Sequence, residues 1–507
     1  MTPWKSLGFT AKYLLFMAAS TVGLAAPLSL ISKPFLMLMS VDIYPRSDKV
    51  DFTDANLQIN RAILPYNLAY ILRSFKPTKL LPLSLNLIIF KKKLTLKPVT
   101  FFFWIFWPIL TFGQLEITSP PEYIRTVVFS DSNGPQSLPI IQMGEQLLLS
   151  FDVLNNEESD YFYRITHHNA DWSKSNLVVN EYLNGFDDIR ISNYQNSVST
   201  LQLYSHYLLT LPNDRTSFKK TGNYILSIFD DSDQLVFSRP FVIYEPEVNV
   251  GVVIKRSREL ENINEKQVVQ YAVINPQGWQ NPEQTVSTSI YQNRNLDNPI
   301  IRIKHQYILG KELQYRYDEE TSFWGGNEYL YFENKDIRVA NNAVEYVDLQ
   351  DVYHSYLYTD VPRYNQTYTY NPDINGQFLT TMFSARNPDI EADYSWVHFS
   401  LLGANNIGDS DIHVFGGFND FIVNSETKMT YNYQRGVFET ALYLKQGFYN
   451  YKYVVQNPDS TIDTSAVSGD FYQTENKYTV LVYYRPLGGR FDSVIGFGEV
   501  SSEGISN

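Results

Sequence analysis

The histidines are the first residues to consider for chemistry, because imidazole binds metal ions and transfers protons near neutral pH. The chain contains seven, and only His167 and His168 are adjacent. They end an alternating stretch, 161–168, which predicts a β-strand whose neighbouring side chains point to opposite faces. Such a pair cannot easily share one metal ion, so we interpret both as hydrogen-bonded strand residues and predict no metal site. The others are His206, His305, His354, His398 and His413, of which the last two could face each other across the last domain.

Carboxylates are abundant, but they stand in turn-like contexts, where acidic residues cap and solvate the backbone. Examples are Asp187-Asp188, Asp230-Asp231 and Glu319-Glu320. The sequence contains no HExxH, no GxSxG and no glycine-rich phosphate loop. It contains no cysteine, which excludes thiol catalysis, disulfides and Cys-ligated metal centres. A glycosidase pair distant in the chain stays open, yet nothing points to one. We predict no catalytic residue, no cofactor and no enzymatic activity.

The composition predicts a folded, β-rich protein with an acidic body. Of the 507 residues, 44% are hydrophobic and 15% aromatic, and aromatic side chains favour pleated, half-buried surfaces. Residues 1–113 hold 13 Lys and Arg against four Asp, whereas the remainder holds 28 Lys and Arg against 50 Asp and Glu. An acidic body repels nucleic acid and anionic lipid headgroups. We therefore expect no nucleic-acid partner.

The first 113 residues predict targeting rather than folded structure. Residues 1–90 show no steady period, and their apolar runs are broken by prolines. A lysine-rich segment, 91–97, then precedes an apolar one, 98–110, which together are typical of a secretory signal peptide cleaved between Gly113 and Gln114. Either residues 1–90 are translated upstream sequence, or they form a membrane-active extension. A signal peptide works at the true N-terminus, which favours the first explanation.

Strand signals after residue 116 predict three β-domains. Over 116–245, strands with a turn signal about every ten residues are typical of two packed antiparallel sheets of immunoglobulin type. A second β-rich domain extends over 246–390 and ends in a Tyr- and Asn-rich connector. A third domain is predicted over 391–487, and a flexible tail over 488–507.

Aromatic residues in predicted loops are the candidates for partner contact, because aromatic anchors dominate many protein interfaces. Trp324 precedes two permissive backbone positions, Gly325 and Gly326. It fits either a contact loop or a tight turn with the indole packed on its domain. The full set of candidates is Trp172, Trp324, Tyr364, Tyr368, Tyr370, Phe418 and Phe421.

The last predicted domain contains the glycine turn 416–421, Met429-Thr430-Tyr431 and the segment 447–453 (GFYNYKY). In this pattern it resembles the early-set immunoglobulin-like domains, which include glycogen-binding modules. In those modules exposed aromatic side chains stack on sugar rings, and Phe421 stands where such a module has a tryptophan. The predicted fold class is thus all-β, with tandem immunoglobulin-like and early-set β-sandwich domains after a non-globular stretch and a signal peptide. A carbohydrate-binding module of the cell envelope is one functional alternative.

A second resemblance spans about three quarters of the chain, from Pro120 to Arg490. The segments that carry it are 161–167, Ala170-Asp171-Trp172, 181–188 (EYLNGFDD), His206-Tyr207, 211–214, Gly222-Asn223-Tyr224, 325–328 (GGNE), 391–399 and Tyr483-Tyr484-Arg485-Pro486. In these segments the chain is similar to the plug protein family of the type IX secretion system, which implies a periplasmic protein associated with the outer membrane. The resemblance also implies one partner, the very large outer-membrane translocon barrel, and no small-molecule substrate.

The predicted cleavage can be tested on protein isolated from the cell envelope. We expect mass spectrometry of the intact chain to give an N-terminus at Gln114, because the signal peptidase cuts after the small residue Gly113. Peptides from residues 1–90 in the envelope protein would contradict the signal-peptide interpretation.

Overall fold

The computed structural model describes residues 117–154, 158–403 and 407–505. The predicted non-globular stretch, the signal peptide and its cleavage site at Gly113 and Gln114 lie outside these residues. No helix in the described part is long and apolar enough to cross a membrane. The predicted all-β fold class is confirmed, since the described chain consists of β-sheets and three one-turn helices: α1 (Val179–Tyr182), α2 (Pro282–Thr285) and α3 (Pro388–Glu391).

The first sandwich consists of two five-stranded sheets, in the strand orders β2-β1-β4-β9-β8 and β3-β12-β11-β5-β7, with the small pair β6–β10 beside them. Tyr163, Ile165 and His167 face the core, as the alternation of the sequence predicts. The strands are β1 (Ile124–Asp131), β2 (Gly134–Pro135), β3 (Ile140–Gln142), β4 (Leu147–Val153), β5 (Phe162–His168), β6 (Leu183–Gly185), β7 (Ile189–Arg190), β8 (Tyr194–Asn196), β9 (Ser205–Leu211), β10 (Thr216–Phe218), β11 (Gly222–Phe229) and β12 (Leu235–Tyr244).

The second sandwich packs the sheet β13-β14-β18-β17, to which β19 adds beside β14, against the sheet β16-β15-β30-β31. Tyr271 and Tyr315 stack at a centroid distance of 4.3 Å in its core. Its strands are β13 (Asn249–Arg256), β14 (Lys266–Ile274), β15 (Val286–Gln292), β16 (Ile300–Ile303), β17 (Tyr307–Leu309), β18 (Glu312–Tyr315), β19 (Ser322–Trp324), β30 (Lys477–Tyr484) and β31 (Ser493–Ser501).

The third sandwich lies, in sequence, between β19 and β30 of the second. One sheet has the order β21-β22-β24-β27-β26, and in the other β20, β23, β25 and β29 all pair with the long strand β28. A 3-10 turn, Gly417–Asn419, follows β25. The strands are β20 (Leu330–Glu333), β21 (Val344–Leu349), β22 (Tyr353–Leu357), β23 (Phe378–Thr380), β24 (Tyr394–Leu402), β25 (Asp411–Phe415), β26 (Thr430–Asn432), β27 (Val437–Lys445), β28 (Gly447–Gln456) and β29 (Ile462–Asp463).

Three boundary predictions need correction. Strands β20 to β23, within residues 330–380, were expected in the domain 246–390, but they pair within the third sandwich. Strand β30 was expected in the domain 391–487, but it pairs with β15 of the second sandwich along its whole length. The tail 488–507 was expected to be flexible, yet 493–501 forms β31, paired with β30. Gly496 and Gly498, which in sequence could be taken for linker residues, allow β31 to pack closely against β13. A Cβ at these positions would lie 2.5 Å from Val248 Cγ2 and 2.7 Å from Val250 Cγ1, respectively.

A buried charge cluster joins the first and third sandwiches. Asp152, which is 0% exposed, accepts hydrogen bonds from Lys445 Nζ (2.6 Å), Tyr394 Oη (2.6 Å) and His206 Nδ1 (2.7 Å). Lys445 Nζ also lies 4.1 Å from the ring centroid of Tyr204. Burial raises the pKa of Asp152, but the positive charge of Lys445 and the bond from His206 outweigh it and hold the pKa below its usual value. Asp152 is therefore a carboxylate whose neutralising cation comes from the other sandwich.

A second set of buried bonds joins the first and second sandwiches. Arg294 Nη1 donates to Asp131 Oδ2 at 2.5 Å, and its Nε donates to Glu499 Oε1 at 2.9 Å. The side chains of Arg294 and Asp131 are 5% and 1% exposed. Tyr483 Oη donates to Asn223 Oδ1 at 2.9 Å across the same junction. Because these groups are buried and mutually bonded, the relative position of the two sandwiches is well defined.

Replacing Lys445 by Met tests the charge cluster. The variant leaves the Asp152 carboxylate buried without its cation, so we expect the free energy of unfolding to fall by about 3–5 kcal/mol in urea titrations followed by circular dichroism. Lys428→Met is the matched control, because it breaks the exposed ion pair with Asp411 (2.7 Å) and should cost less than about 1 kcal/mol. Equal, small effects in both variants would contradict the role of the buried pair.

Candidate interaction surfaces

The segment Trp324-Gly325-Gly326-Asn327 carries the chain from the second sandwich to the third. The return segment, 468–476, runs beside it and is bonded to it: Phe471 N donates to Gly326 O (2.8 Å), and Asn476 Nδ2 donates to Gly325 O (2.8 Å). A Cβ on Gly325 would lie 2.1 Å from Phe471 O, which explains the glycine. The two crossings therefore form one clamped junction.

A polar cleft lies beside this junction, between the second and third sandwiches. It measures about 550 Å³ and adjoins a second cavity of about 730 Å³, with which it shares Trp324, Ile462, Thr464 and Asp470. The indole of Trp324 is 44% exposed, and Lys266 Nζ lies 4.6 Å from its ring centroid. Tyr364, which is 43% exposed, lines the second cavity. Two of the predicted contact residues are thus brought to one place.

Glu328, at the end of the clamped junction, is almost inaccessible, with 1% exposure. Its Oε1 accepts from Tyr368 Oη (2.5 Å) and Glu475 N (3.1 Å), whereas Oε2 has no hydrogen-bond partner among the described residues. Burial, reinforced by the charges of Asp373 and Glu475, raises the pKa of Glu328 to about 7. The hydroxyl of Tyr368, a predicted contact residue, is therefore hydrogen-bonded to Glu328 and stabilises the clamped junction.

The outer face of β21, β22, β24 and β27 carries a row of stacked aromatic rings. Tyr346 stacks on Tyr356 with centroids 4.2 Å apart, and Tyr356 stacks on His398 at 4.0 Å, both with an interplanar angle of 10°. His354 Nδ1 and His398 Nε2 share a hydrogen bond of 2.9 Å. Beside them, the rings of Trp396 and Tyr443 lie 5.0 Å apart. We call this set, Tyr346, His354, Tyr356, Trp396, His398 and Tyr443, the aromatic row.

The aromatic row continues an interface that already exists. Its neighbours on the same face, Tyr394 and Lys445, are covered by the first sandwich. Tyr443 Oη donates to Gln202 Oε1 of the first sandwich at 3.0 Å. Beyond that point the face is open, with Tyr346 50% and Trp396 38% exposed. The flanking Leu201 and Leu203 are also half exposed, so that apolar side chains of two sandwiches border one another.

The two histidines of the row, His354 and His398, are hydrogen-bonded to one another. Burial and the neighbouring His354 lower the pKa of His398 to about 4. His413, which we expected to face His398, instead lies on β25 of the other sheet and is hydrogen-bonded to Thr427 Oγ1 at 3.0 Å. The row was missed in the sequence, although period-two alternation in 353–356 and 394–399 could have shown which side chains point outward.

Two of the predicted contact residues, Trp172 and Phe421, are buried and not free to meet a partner, and a third, Phe418, is partly covered. Trp172 is 6% exposed and lies in the apolar cluster between the first and second sandwiches. Phe421 is 4% exposed and packs edge-on against Phe415. Phe418 is half-buried against Tyr449. These positions correct the expected contact role of Trp172 and Phe421, and they remove the turn 416–421 as a platform for sugar rings. Tyr370, in contrast, is 50% exposed.

The adjacent histidines of β5 are hydrogen-bonded, as predicted. His167 Nε2 bonds to Thr221 O at 3.1 Å, and His168 Nδ1 bonds to Trp172 O at 2.6 Å. In the described ranges no group of three or more His, Asp and Glu side chains is arranged to hold a metal ion.

The raised pKa of Glu328 predicts a pH-dependent stability. In the folded chain Glu328 binds its proton up to about pH 7, whereas a free glutamate loses it near 4.5. The folded state then holds more protons than the unfolded state, so this group lowers the free energy of unfolding as the pH rises from 4.5 to 7, by up to about 3 kcal/mol. We expect Glu328→Gln to flatten urea midpoints over this range, with Glu345→Gln on exposed β21 as the charge control. An unchanged slope in Glu328→Gln would contradict the assignment.

Comparison with known proteins agrees with this architecture. Residues 124–245, which are the first sandwich, match the model of the type 9 secretion system plug protein first domain. A solved hypothetical protein from Parabacteroides merdae is 32% identical, with a TM-score of 0.72 over 76% of this chain and 99% of its own. A Salmonella alpha-2-macroglobulin mutant is 10% identical over 76% of this chain and 24% of its own, and its TM-score of 0.11 is too low to indicate a shared fold. No curated protein matches the chain. By its first sandwich, this chain belongs to the type IX secretion plug protein family.

Proposed function

We propose that this chain is a non-enzymatic plug, which closes the periplasmic opening of the type IX secretion translocon barrel by protein–protein contact. The observation that carries the proposal is the match of residues 124–245 to the plug family. In this proposal the chain is exported by its signal peptide and works in the periplasm against the outer membrane. It needs no cofactor and no small-molecule substrate.

The packing of the three sandwiches suits a stopper. A wide pore leaks unless a body of fixed shape covers its mouth, so a plug must resist deformation. The Asp152–Lys445 pair fixes the third sandwich on the first, and the Arg294–Asp131 pair fixes the second on the first. The clamped junction at Gly325 fixes the third on the second. These bonds support a body that moves as a unit when cargo displaces it.

The aromatic row is the surface that we propose docks on the barrel. Interfaces that form and dissolve combine a few aromatic anchors with a polar rim. Tyr346 and Trp396 are exposed anchors of this kind, and Glu345, Asp348 and Glu439 border them on the same sheet. Tyr346, Tyr356, His354 and His398 stack face to face on one another. Rings whose faces are covered by their neighbours suit a protein partner better than a sugar, which needs an open ring face.

Capture from detergent-solubilised envelope tests both the function and the surface. We expect the tagged mature chain to co-purify with a large outer-membrane barrel, and cells without the chain to admit small hydrophilic dyes through that barrel. In the variant Tyr346→Glu/Trp396→Glu, two charges replace the exposed anchors, and the captured barrel should fall by about 30-fold, as expected for interface hot spots.

Phe186→Glu is the matched control, because Phe186 is 78% exposed at a turn of the first sandwich away from the aromatic row. Thermal melting of each variant shows that the fold is kept. If the double variant captures as much barrel as the wild-type chain, the docking surface is rejected but the plug function is not. Absence of any barrel from the wild-type capture would reject the plug.

A further inference from the structure

The cleft between the second and third sandwiches has fixed walls and a size suited to a small ligand. Its volume of about 550 Å³ lies within the range of pockets that enclose small molecules. One wall is the clamped junction at Trp324–Asn327, and another is formed by β28 with the side chain of Lys452. A cleft held by such bonds is preformed, so a ligand need not order it.

The side chain of Lys452 places in this cleft a hydrogen-bond donor that has no acceptor among the described residues. Its Nζ lies 5.1 Å from the ring centroid of Tyr329 and 5.7 Å from that of Phe415, and it makes no hydrogen bond or ion pair with any described residue. Burial between these rings lowers the pKa of Lys452. A half-buried ammonium group without a hydrogen-bond acceptor gains from a ligand that supplies one.

Other polar groups of the wall complement this donor. Asp470 Oδ1 accepts from Gly326 N at 2.9 Å, which leaves Oδ2 free to accept from a ligand. The side chain of Asn298 makes no hydrogen bond within the part of the chain that the structure describes, and a carboxamide both donates and accepts. The cleft thus presents donors and acceptors side by side, which is what hydroxyl groups require, because each hydroxyl does both.

The charges of the wall argue against an anionic ligand. Asp297 and Asp470 line the cleft, and their charges act on Lys452 together with that of Asp373. An anion drawn to Lys452 would meet these carboxylates. An apolar ligand would bury the ammonium group without an acceptor. At the rim, Trp324 is 44% exposed; Lys266 Nζ covers one face of its indole at 4.6 Å, and in this proposal the C–H face of a sugar ring rests on the opposite face.

We propose that this cleft is a binding site for a short, neutral oligosaccharide, with Trp324 stacking on one ring and Lys452, Asn298 and Asp470 bonding to its hydroxyl groups. Phe421 of the turn 416–421 forms part of the cleft wall, but it is 4% exposed, so in this proposal the ring that stacks on the sugar is Trp324. The cleft is separate from the aromatic row, so that sugar binding and barrel docking use different surfaces.

Titration of the full mature chain with defined probes tests the proposal. The probes are maltohexaose, cellohexaose, chitohexaose and mannohexaose as neutral sugars, sialyllactose as an acidic sugar, and a hexapeptide of Gly, Ser and Asn. Binding is measured by calorimetry and by tryptophan fluorescence. We expect at least one neutral sugar to bind with a Kd of about 1 mM or lower.

Two variants tie the binding to the cleft. Trp324→Ala and Lys452→Met should each weaken the bound sugar by at least about 10-fold. Trp396→Ala, which removes an exposed tryptophan of the aromatic row, should leave its affinity unchanged. Melting temperatures show that each variant is folded, and Lys452→Met keeps the bulk that fills the space between Tyr329 and Phe415.

Several results would overturn the proposal. One is the absence of binding by every neutral probe at about 10 mM. Another is binding that neither Trp324→Ala nor Lys452→Met weakens, because the sugar would then lie elsewhere. Tighter binding of sialyllactose, or of the hexapeptide, than of any neutral sugar would assign the cleft to an acidic glycan or to an extended polypeptide instead.

Discussion

The ion pair between Asp152 and Lys445 is the constraint on which the arrangement of the whole body depends. The two residues are 293 positions apart in the chain, and both are excluded from water. A buried carboxylate and a buried ammonium are each unfavourable alone, and together they tolerate few other geometries. The contribution of the pair is therefore specificity: Tyr394 and His206 complete the bonding of Asp152 only when the two sandwiches meet in this one orientation.

The same logic extends to the other junctions. Arg294 links Asp131 of the first sandwich to Glu499 of the second, so one guanidinium organises carboxylates on two bodies. At the third junction, backbone groups and amide side chains replace charges, and Gly325 allows the two crossings to touch. The outer face of the third sandwich and the cleft, in contrast, carry exposed aromatic residues, namely Tyr346 and Trp396 on the face and Trp324 beside the cleft. The division separates side chains that hold the body together from side chains that remain available to a partner or a ligand.

Local strands could largely be predicted from the sequence, whereas the pairing and packing of distant segments could not. Alternation located β5 to within one residue, because period two reports which positions share a face. It does not report which strand lies alongside. Strand β30 was therefore assigned to the wrong sandwich, and the burial of Trp172 beneath Tyr291 and Tyr483 of the second sandwich was unforeseen. The cleft residues are drawn from five separate segments, and no local pattern connects Trp324 with Lys452.

The close approach of Gly325 and Asn476 has a consequence for how the third sandwich is built into the chain. The chain leaves the second sandwich and comes back to it at points joined by hydrogen bonds of 2.8 Å, from Asn476 Nδ2 to Gly325 O and from Phe471 N to Gly326 O. Because the two chain crossings are adjacent, a whole domain can be inserted or removed between them without changing the path of the strands in the second sandwich. The third sandwich thus has the topology of a domain inserted into the second, between β19 and β30.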